Sequence, residues 1–126
     1  MKNKCIYPNV LTTEITDDST VLTLLVPEEL LYFDGHFDQA SLLPGVVQID
    51  WAVYFGQKIF DYTGEFSGLE VIKFKDVISP NQQVELTLQF KENKNKLLFS
   101  YQSDSGTCSS GRIVFDKEEG VARGEV

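Results

Sequence analysis

The chain is poor in the residues that bind transition metals. It has one histidine, His36, and two cysteines, Cys5 and Cys108, which lie far apart in the sequence. A structural zinc site needs about four ligands at close, regular spacing, and these residues do not provide it. We therefore expect no metal, and nothing in the sequence implies an organic cofactor. Two distant cysteines also fit reduced thiols in a cytoplasmic protein better than a disulfide framework.

Long apolar runs and an excess of basic residues are also lacking. The first ten residues, MKNKCIYPNV, contain no apolar stretch typical of a secretory signal peptide. No run reaches the roughly 20 apolar residues of a membrane span. Lys and Arg number 11 against 19 Asp and Glu, which gives a net charge of −8. A general nucleic-acid surface would be basic, so we expect neither nucleic-acid binding nor membrane insertion, and a cytoplasmic location.

The chain does contain enough apolar side chains for one core. Its hydrophobic content is 42%, and it includes nine phenylalanines. A length of 126 residues is that of one ordinary domain. We interpret residues 1–126 as a single domain in which the polar stretch from about residue 116 has little to bury.

Apolar patterning predicts one long helix among short strands. The run VVQIDWAVYFGQKIF is apolar nearly all round, as in a buried helix, and the preceding Pro44-Gly45 suits a helix start. We expect this helix to end at about Tyr62 and to be closed by Thr63-Gly64. Alternation and turn residues predict strands at about Leu11–Thr16, Val21–Val26, Leu69–Lys75, Gln83–Lys91, Lys96–Ser103 and Cys108–Phe115. Strands, one helix and a four-strand antiparallel meander make an α+β domain.

Asp50 interrupts the apolar helix. The residues that share its helix face are Val46, Val47, Val53 and Tyr54. We therefore expect Asp50 to be buried, and a buried carboxylate needs a donor or a function. Taken singly, Asp50 also fits an ordinary helix residue that is hydrogen-bonded to a neighbouring loop or faces solvent at a thin polar edge, and His36 fits a surface or core histidine. Together with the positive helix start between them, they make an acid, a base and an oxyanion donor.

The segment GHF-x6-PGV-x4-D resembles the active-site segment of the hot-dog-fold β-hydroxyacyl-acyl-carrier-protein dehydratases. In that family a histidine precedes a Pro-Gly helix start, and Glu or Asp follows the histidine by fourteen residues; Asp50 follows His36 by fourteen. The stretch PGVVQIDWA is most similar to the small dehydratases of aryl-polyene-type lipid clusters. KFKDVISPNQQVEL and SSGRIVF resemble two later family segments, so the resemblance covers about Val26–Phe115.

The resemblance implies a hot-dog fold, in which a curled antiparallel sheet wraps one long helix, and a homodimer with a continuous sheet. It implies dehydration of (3R)-hydroxyacyl thioesters on acyl carrier protein, as in fatty-acid or polyene-type lipid biosynthesis. In family dimers each site takes its histidine from one subunit and its acid from the other. By this analogy His36 is the base, Asp50 protonates the leaving hydroxyl and the Gly45 N–H binds the thioester oxygen. The Leu42 carbonyl would fix the imidazole tautomer.

The resemblance also suggests binding residues for the acyl chain and the carrier. The chain would run along an apolar tunnel between subunits, with candidate lining residues Phe33, Phe37, Leu42, Leu43, Trp51, Tyr54 and Phe55. Each of these aromatic and apolar residues also fits an ordinary core position. Because this chain and carrier proteins are both acidic, docking needs a local basic patch. The candidates for that patch, which we expect at the mouth of the tunnel, are Lys73, Lys75 and Arg112.

The chain departs from the family pattern near the proposed site. Asp38 and Ser41 stand where the family usually has prolines, and Tyr54 stands where it often has glutamine. Two alternatives therefore stay open. One is a hot-dog acyl thioesterase, although such enzymes commonly lack a histidine fourteen residues before the acid. The other is a non-catalytic acyl-binding hot-dog subunit, which the three departures favour.

Overall fold

Six strands and one helix make up most of the computed structural model, which describes residues 6–28 and 42–116. In chain order they are β1 (Asn9–Ile15), β2 (Thr20–Leu25), α1 (Gly45–Phe60), β3 (Phe66–Phe74), β4 (Gln83–Lys91), β5 (Lys96–Ser103) and β6 (Gly106–Phe115). The strands form one antiparallel sheet in the order β1-β2-β4-β5-β6-β3. Within these described ranges, no helix has the length and apolar character needed to cross a membrane.

The core lies between one face of α1 and the inner face of the curled sheet. The helix buries a stripe that consists of Val47, Gln48, Trp51, Ala52, Phe55 and Gly56. Alternate residues of β4 and β5 meet this stripe, namely Val84, Leu86, Leu88, Leu97, Phe99 and Tyr101. The Trp51 indole is fully buried, and its Nε1–H donates to the Ile6 carbonyl at 3.0 Å. The predicted α+β arrangement of one helix against a curled sheet is confirmed.

The strand boundaries were predicted to within three residues, but the predicted four-strand meander is wrong. β3 does not pair with β4. It pairs with β6, where Leu69 lies opposite Ile113, and β4 lies between β2 and β5. Alternation along a strand shows which face is buried, but it does not identify the neighbouring strand. The segment after β3 crosses to the other half of the sheet, and nothing local in the sequence signals that crossing.

The helix begins at Gly45 as predicted but ends at Phe60, before the expected Tyr62. Asp61 ends it in the left-handed conformation, with φ of 55° and its N–H bonded to the Gln57 carbonyl, so Gly64 is not the terminating residue. The expectation of a helix buried all round is also wrong. Val46 is 72% exposed and Asp50 is exposed, because within one chain the sheet covers only one side of α1.

β3 forms an open edge of the sheet with apolar side chains beside it. Phe66, Leu69 and Phe74 on this strand are 44–56% exposed, and Val46 at the start of α1 is more exposed still. We call these four residues the β3 edge patch. Phe66 and Leu69 lie opposite the buried Phe115 and Ile113, so they are on the helix side of the sheet. An unpaired apolar edge of this kind is a liability unless another chain covers it.

Candidate active site

The start of α1 lies at the centre of the candidate site. Pro44 is the N-cap, with φ of −62° and ψ of 149°, and its carbonyl accepts hydrogen bonds from the N–H groups of Val47 and Gln48 at 3.1 and 3.2 Å. The Gly45 N–H is one of the groups that the helix itself leaves without a partner. The helix dipole adds partial positive charge at the same place. The geometry therefore suits a negatively charged oxygen near Gly45, and the role of Gly45 as oxyanion donor stays a prediction.

The ring of Phe74 packs directly against Gly45. A Cβ atom added at Gly45 would lie 2.6 Å from Phe74 Cζ, which is closer than any real contact of this type, so only glycine allows this approach. The N–H of Leu43 also donates to the Ile78 carbonyl at 2.8 Å. The end of β3 and the residues after it therefore hold the segment that leads into the helix. Phe74 was not among the predicted site residues.

Asp50 lies at a groove that opens along the exposed side of α1. The groove has a volume of about 520 Å³. Its other lining includes one cation, Lys58, and the aromatic residues Tyr7, Tyr54, Tyr62, Phe66 and Phe115. The expectation that Asp50 is buried is wrong for the single chain, because Asp50 lies on the side of the helix away from the sheet. The carboxylate is thus available to a ligand or to a second chain.

Packed aromatic rings fix the wall of this groove. The Tyr7 and Tyr54 rings stack with centroids 3.9 Å apart, and Lys58 Nζ lies 5.0 Å from the Tyr54 centroid. The Tyr62 hydroxyl donates to the Val53 carbonyl at 2.9 Å, and burial raises its pKa. Asp50 and Lys58 are eight residues apart, which is about 12 Å along a helix. The groove therefore has length and apolar lining that suit an extended acyl chain.

The electrostatic influence of Asp50 extends into the core. The Tyr101 side chain is fully buried, and burial raises the pKa of its hydroxyl well above the ordinary value. The negative charge of Asp50 raises this pKa further. Tyr101 therefore remains a neutral hydrogen-bond donor, and its hydroxyl donates to the backbone carbonyl of Gln48 at 2.7 Å.

The predicted acyl-binding residues divide into three groups. Tyr54 lines the groove, and Leu42 is 39% exposed just before the helix start. Leu43, Trp51 and Phe55 are 3%, 0% and 8% exposed, so the structure assigns them to the core instead of an open lining. Their side chains lie on the sheet side of the chain segment, opposite Asp50. The remaining predicted residues, Phe33, Phe37 and the base His36, lie outside the described residues.

Two of the three predicted basic residues lie together on the outer face of the sheet, opposite α1. Lys73 and Arg112 line a depression of about 510 Å³, together with hydroxyl and apolar side chains from β4, β5 and β6. Glu70 bridges Arg112 Nε at 3.4 Å and Lys96 Nζ at 2.9 Å, and the hydrogen bond from Lys96 lowers the pKa of this carboxyl. Lys75 is exposed but is not one of the lining residues.

Sequence reasoning missed most of the groove. The spacing of Asp50, Tyr54 and Lys58 at four-residue intervals is a local signal that all three lie along one helix face. Tyr7 and Phe115 come from opposite ends of the described chain, and no local pattern identifies them. As for metals, the described part of the chain contains no cluster of three or more His, Cys, Asp or Glu side chains that could hold an ion.

Comparisons with known proteins identify the family of the chain. The sequence profile of the ApeI-like family, described as ApeI dehydratase, matches residues 12–112. The 3-hydroxyacyl-(acyl-carrier-protein) dehydratase FabZ of Streptococcus mutans is 26% identical over 114 residues, which cover 81% of this chain and 80% of that protein. The FabZ of Buchnera aphidicola is 32% identical over 100 residues, which cover 69% of this chain and 66% of that protein.

Solved structures give the same result. The structure of the dehydratase heterocomplex ApeI:P from Xenorhabdus doucetiae includes a chain that is 32% identical, with a TM-score of 0.80, over 87% of this chain and 98% of that one. The dehydratase domain from the CurF module of curacin polyketide synthase is 16% identical, with a TM-score of 0.63, over 88% of this chain and 43% of that one. The second likeness supports the fold alone. The first, with the family profile, establishes that the chain belongs to the ApeI-like family of hot-dog-fold dehydratases.

Proposed function

We propose that the chain converts (3R)-hydroxyacyl thioesters into trans-2-enoyl thioesters and water, using His36 and Asp50. The observation that carries this proposal is the position of Asp50, which lies five residues after Gly45 and faces an aromatic groove. Five residues correspond to about 7 Å along the helix, so Gly45 and Asp50 both lie within the first two turns of α1, beside which a β-hydroxyacyl group is small enough to fit. The FabZ relatives carry this activity in their names.

The reaction needs one base, one acid and one oxyanion donor. The His36 imidazole removes a proton from the carbon between the thioester carbonyl and the hydroxyl-bearing carbon. Charge that develops on the thioester oxygen is stabilised by the Gly45 N–H at the positive end of α1. The electron pair then forms the carbon–carbon double bond as the C–O bond to the hydroxyl breaks. Asp50 gives that hydroxyl a proton, so it leaves as water, and the proton on His36 restores the acid.

A complete site also needs a second chain in this proposal. The exposed face of α1 that bears Asp50 adjoins the β3 edge patch, so a partner strand that pairs with β3 would lie beside Asp50. The family analogy supplies His36 of that partner to each Asp50. The Xenorhabdus doucetiae structure is a heterocomplex. We propose that this chain pairs with a second copy of itself, and the purified chain alone tests this choice.

We propose that the substrate arrives on an acyl carrier protein that docks at Lys73 and Arg112, on the sheet face away from the Asp50 groove, and that its long phosphopantetheine arm carries the acyl group around the sheet edge to Asp50. These two cations share one depression, and Glu70 neutralises only part of the charge there because Lys96 also binds it. In a protein of net charge −8 this is a local basic area that an acidic carrier or its phosphate group can use. Lys75, the third candidate, would contribute from outside the depression.

Charge reversal at Lys73 tests the docking proposal. The Lys73→Glu variant is expected to raise KM for a carrier-linked substrate about 3- to 10-fold at low salt, because an attractive charge becomes repulsive near the docking site. The effect should shrink as ionic strength rises, since salt screens exposed charges. A short thioester without a carrier should be turned over at the original rate. Lys94→Glu, in the exposed turn between β4 and β5, is the matched control. Unchanged carrier-linked KM at low salt would contradict the proposal.

The decisive assay follows two products in the same reaction. The purified chain is incubated with (3R)-hydroxyacyl thioesters of several chain lengths, and the enoyl absorbance and the free thiol are measured together. We expect enoyl thioester without release of thiol. Release of thiol would identify a thioesterase, and saturable binding without either product would identify an acyl-binding subunit.

A further inference from the structure

Gln48 is a buried polar residue in the middle of an otherwise apolar helix face. It is 3% exposed and lies one turn after the start of α1, on the side that packs against the sheet. A buried amide is costly unless its hydrogen bonds are made. An apolar residue of similar size would fill the same space without that requirement, so packing alone does not account for a glutamine here.

The side-chain hydrogen bonds of Gln48 connect the helix start to neighbouring segments of the chain. Its Nε2–H donates to the Leu43 carbonyl at 3.1 Å, and its Oε1 accepts from the Ser109 hydroxyl of β6 at 2.7 Å. The Tyr101 hydroxyl of β5 donates to the Gln48 backbone carbonyl at 2.7 Å. Ser109 and Tyr101 are both fully buried. The network therefore ties two central strands to the first turn of the helix.

This network acts where the helix has no side-chain cap of its own. The N-cap is Pro44, whose ring carries no hydrogen-bonding group, and no side-chain cap bond is made there among the described residues. Leu43, just before it, is held through both backbone groups, because its N–H donates to Ile78 and its carbonyl accepts from Gln48. The position of Gly45 relative to the sheet is thus set through Gln48.

We propose that Gln48 is a positioning residue for the dehydration. Through Leu43 and Ser109 it fixes the start of α1, so that the Gly45 N–H and the Asp50 carboxylate keep their places relative to the bound thioester. Gln48 touches neither substrate nor reacting atoms in this proposal, which rests on the proposed function. A displacement of about 1 Å at a catalytic group can cost about 100-fold in rate.

The Gln48→Leu variant separates positioning from binding. It retains most of the buried volume but loses both side-chain hydrogen bonds. We expect kcat to fall about 10- to 100-fold with KM changed less than about 3-fold, because the substrate groove is untouched while transition-state contacts move. Thr20→Val is the matched control, since Thr20 is a buried polar residue (2% exposed) near Phe60, at the other end of α1. It should lower stability while leaving kcat unchanged.

The Gln48→Glu variant adds a readout that a purely structural role would not move. When protonated, the introduced carboxyl can donate to Leu43 and accept from Ser109, as the amide does. Burial raises the pKa of such a carboxyl, so the working form should persist below that raised value and be lost as pH increases through it. We expect a new fall in kcat with rising pH that the original protein and Gln48→Leu both lack. A pH profile of unchanged shape would overturn the proposal.

Amide hydrogen exchange tests the same proposal without any turnover. In Gln48→Leu the hydrogen-bonded N–H groups of Leu43 and Val47 should exchange about 10-fold or more faster than in the original protein, while those near Phe60 should not. The variant could exchange faster while the original chain shows no dehydration of any substrate. That pair of results would support the role of Gln48 in holding the helix start and would refute only the proposed function. Unchanged exchange, or unchanged kcat in an active enzyme, would refute the role of Gln48.

Discussion

Replacing His36 with alanine is expected to abolish nearly all dehydration. His36 is the only histidine in the chain, so no other imidazole is present to remove the proton next to the thioester. General acid–base groups typically contribute about 10²- to 10⁴-fold to a rate, and the loss should fall in or above that range. Initial rates of enoyl formation at saturating substrate measure it.

Asp50→Asn is also expected to lose activity, but it should keep the fold. Asparagine is nearly isosteric and can still form hydrogen bonds, but it cannot give the hydroxyl its proton. Asp50→Glu should keep measurable activity, since the dehydratase family that this chain resembles has either glutamate or aspartate fourteen residues after the histidine. The double variant should be little slower than His36→Ala alone, because groups that act as a unit do not contribute additively.

The controls for these variants are assembly and folding. Each purified variant should show the circular dichroism and the oligomeric state of the original chain, and Asp50 is exposed in the single chain, so its replacement by asparagine buries no new polar group. Original rates in both single variants would contradict the dyad. Enoyl formation that survives in Asp50→Asn alone would assign the acid role to another group.

Leu69→Asp is expected to produce folded but inactive monomers. Leu69 is 44% exposed on the edge strand β3, on the helix side of the sheet, and it belongs to the β3 edge patch that we assign to the dimer interface. In the proposed dimer a carboxylate there would be buried against the partner chain without a counter-ion, and unpaired buried charge costs several kcal/mol, typically about 3–5. In our proposal each site takes His36 and Asp50 from different chains, so a monomer would have no complete site.

Ile15→Asp is the matched control for the interface. Ile15 is 75% exposed at the end of β1, the strand at the opposite edge of the same sheet, so the substitution makes the same chemical change away from the β3 edge patch. This variant should stay dimeric and active. Light scattering and enoyl formation measured on the same samples decide the matter. A fully active Leu69→Asp monomer would show that one chain holds a complete site. An original chain that is itself monomeric would contradict the proposed dimer interface.

Some of this structure could be predicted because its signals are local. The apolar run after Pro44-Gly45 identified α1, and clean alternation identified β4 and β5 with their observed ends. The position of Gly45 at the helix start follows from the same few residues. Such features depend on residues that are close together in the sequence, so the sequence pattern alone predicts them.

Other features depend on contacts between distant residues. The pairing of β3 with β6 and the packing of Tyr7 on Tyr54 join residues that are 35 or more positions apart. Asp50 was expected to be buried because nearly every neighbour in its helix is apolar, yet the sheet covers only one side of α1. The apolar residues that stay exposed around Asp50 are consistent with contact to a partner chain. An apolar sequence pattern is the same for residues buried in a core and for residues buried in an interface, so it could not separate the two cases.

Mixing the two inactive variants tests the central claim, which is that His36 of one chain works with Asp50 of the other. His36→Ala and Asp50→Asn chains are purified separately, unfolded together, refolded at equal concentration and assayed for enoyl formation. In a shared site each mixed dimer contains one site with both residues intact. Random pairing into symmetric two-chain assemblies should therefore restore about one quarter of the original activity. A mixture that forms mixed dimers but stays as inactive as its two components would contradict the account.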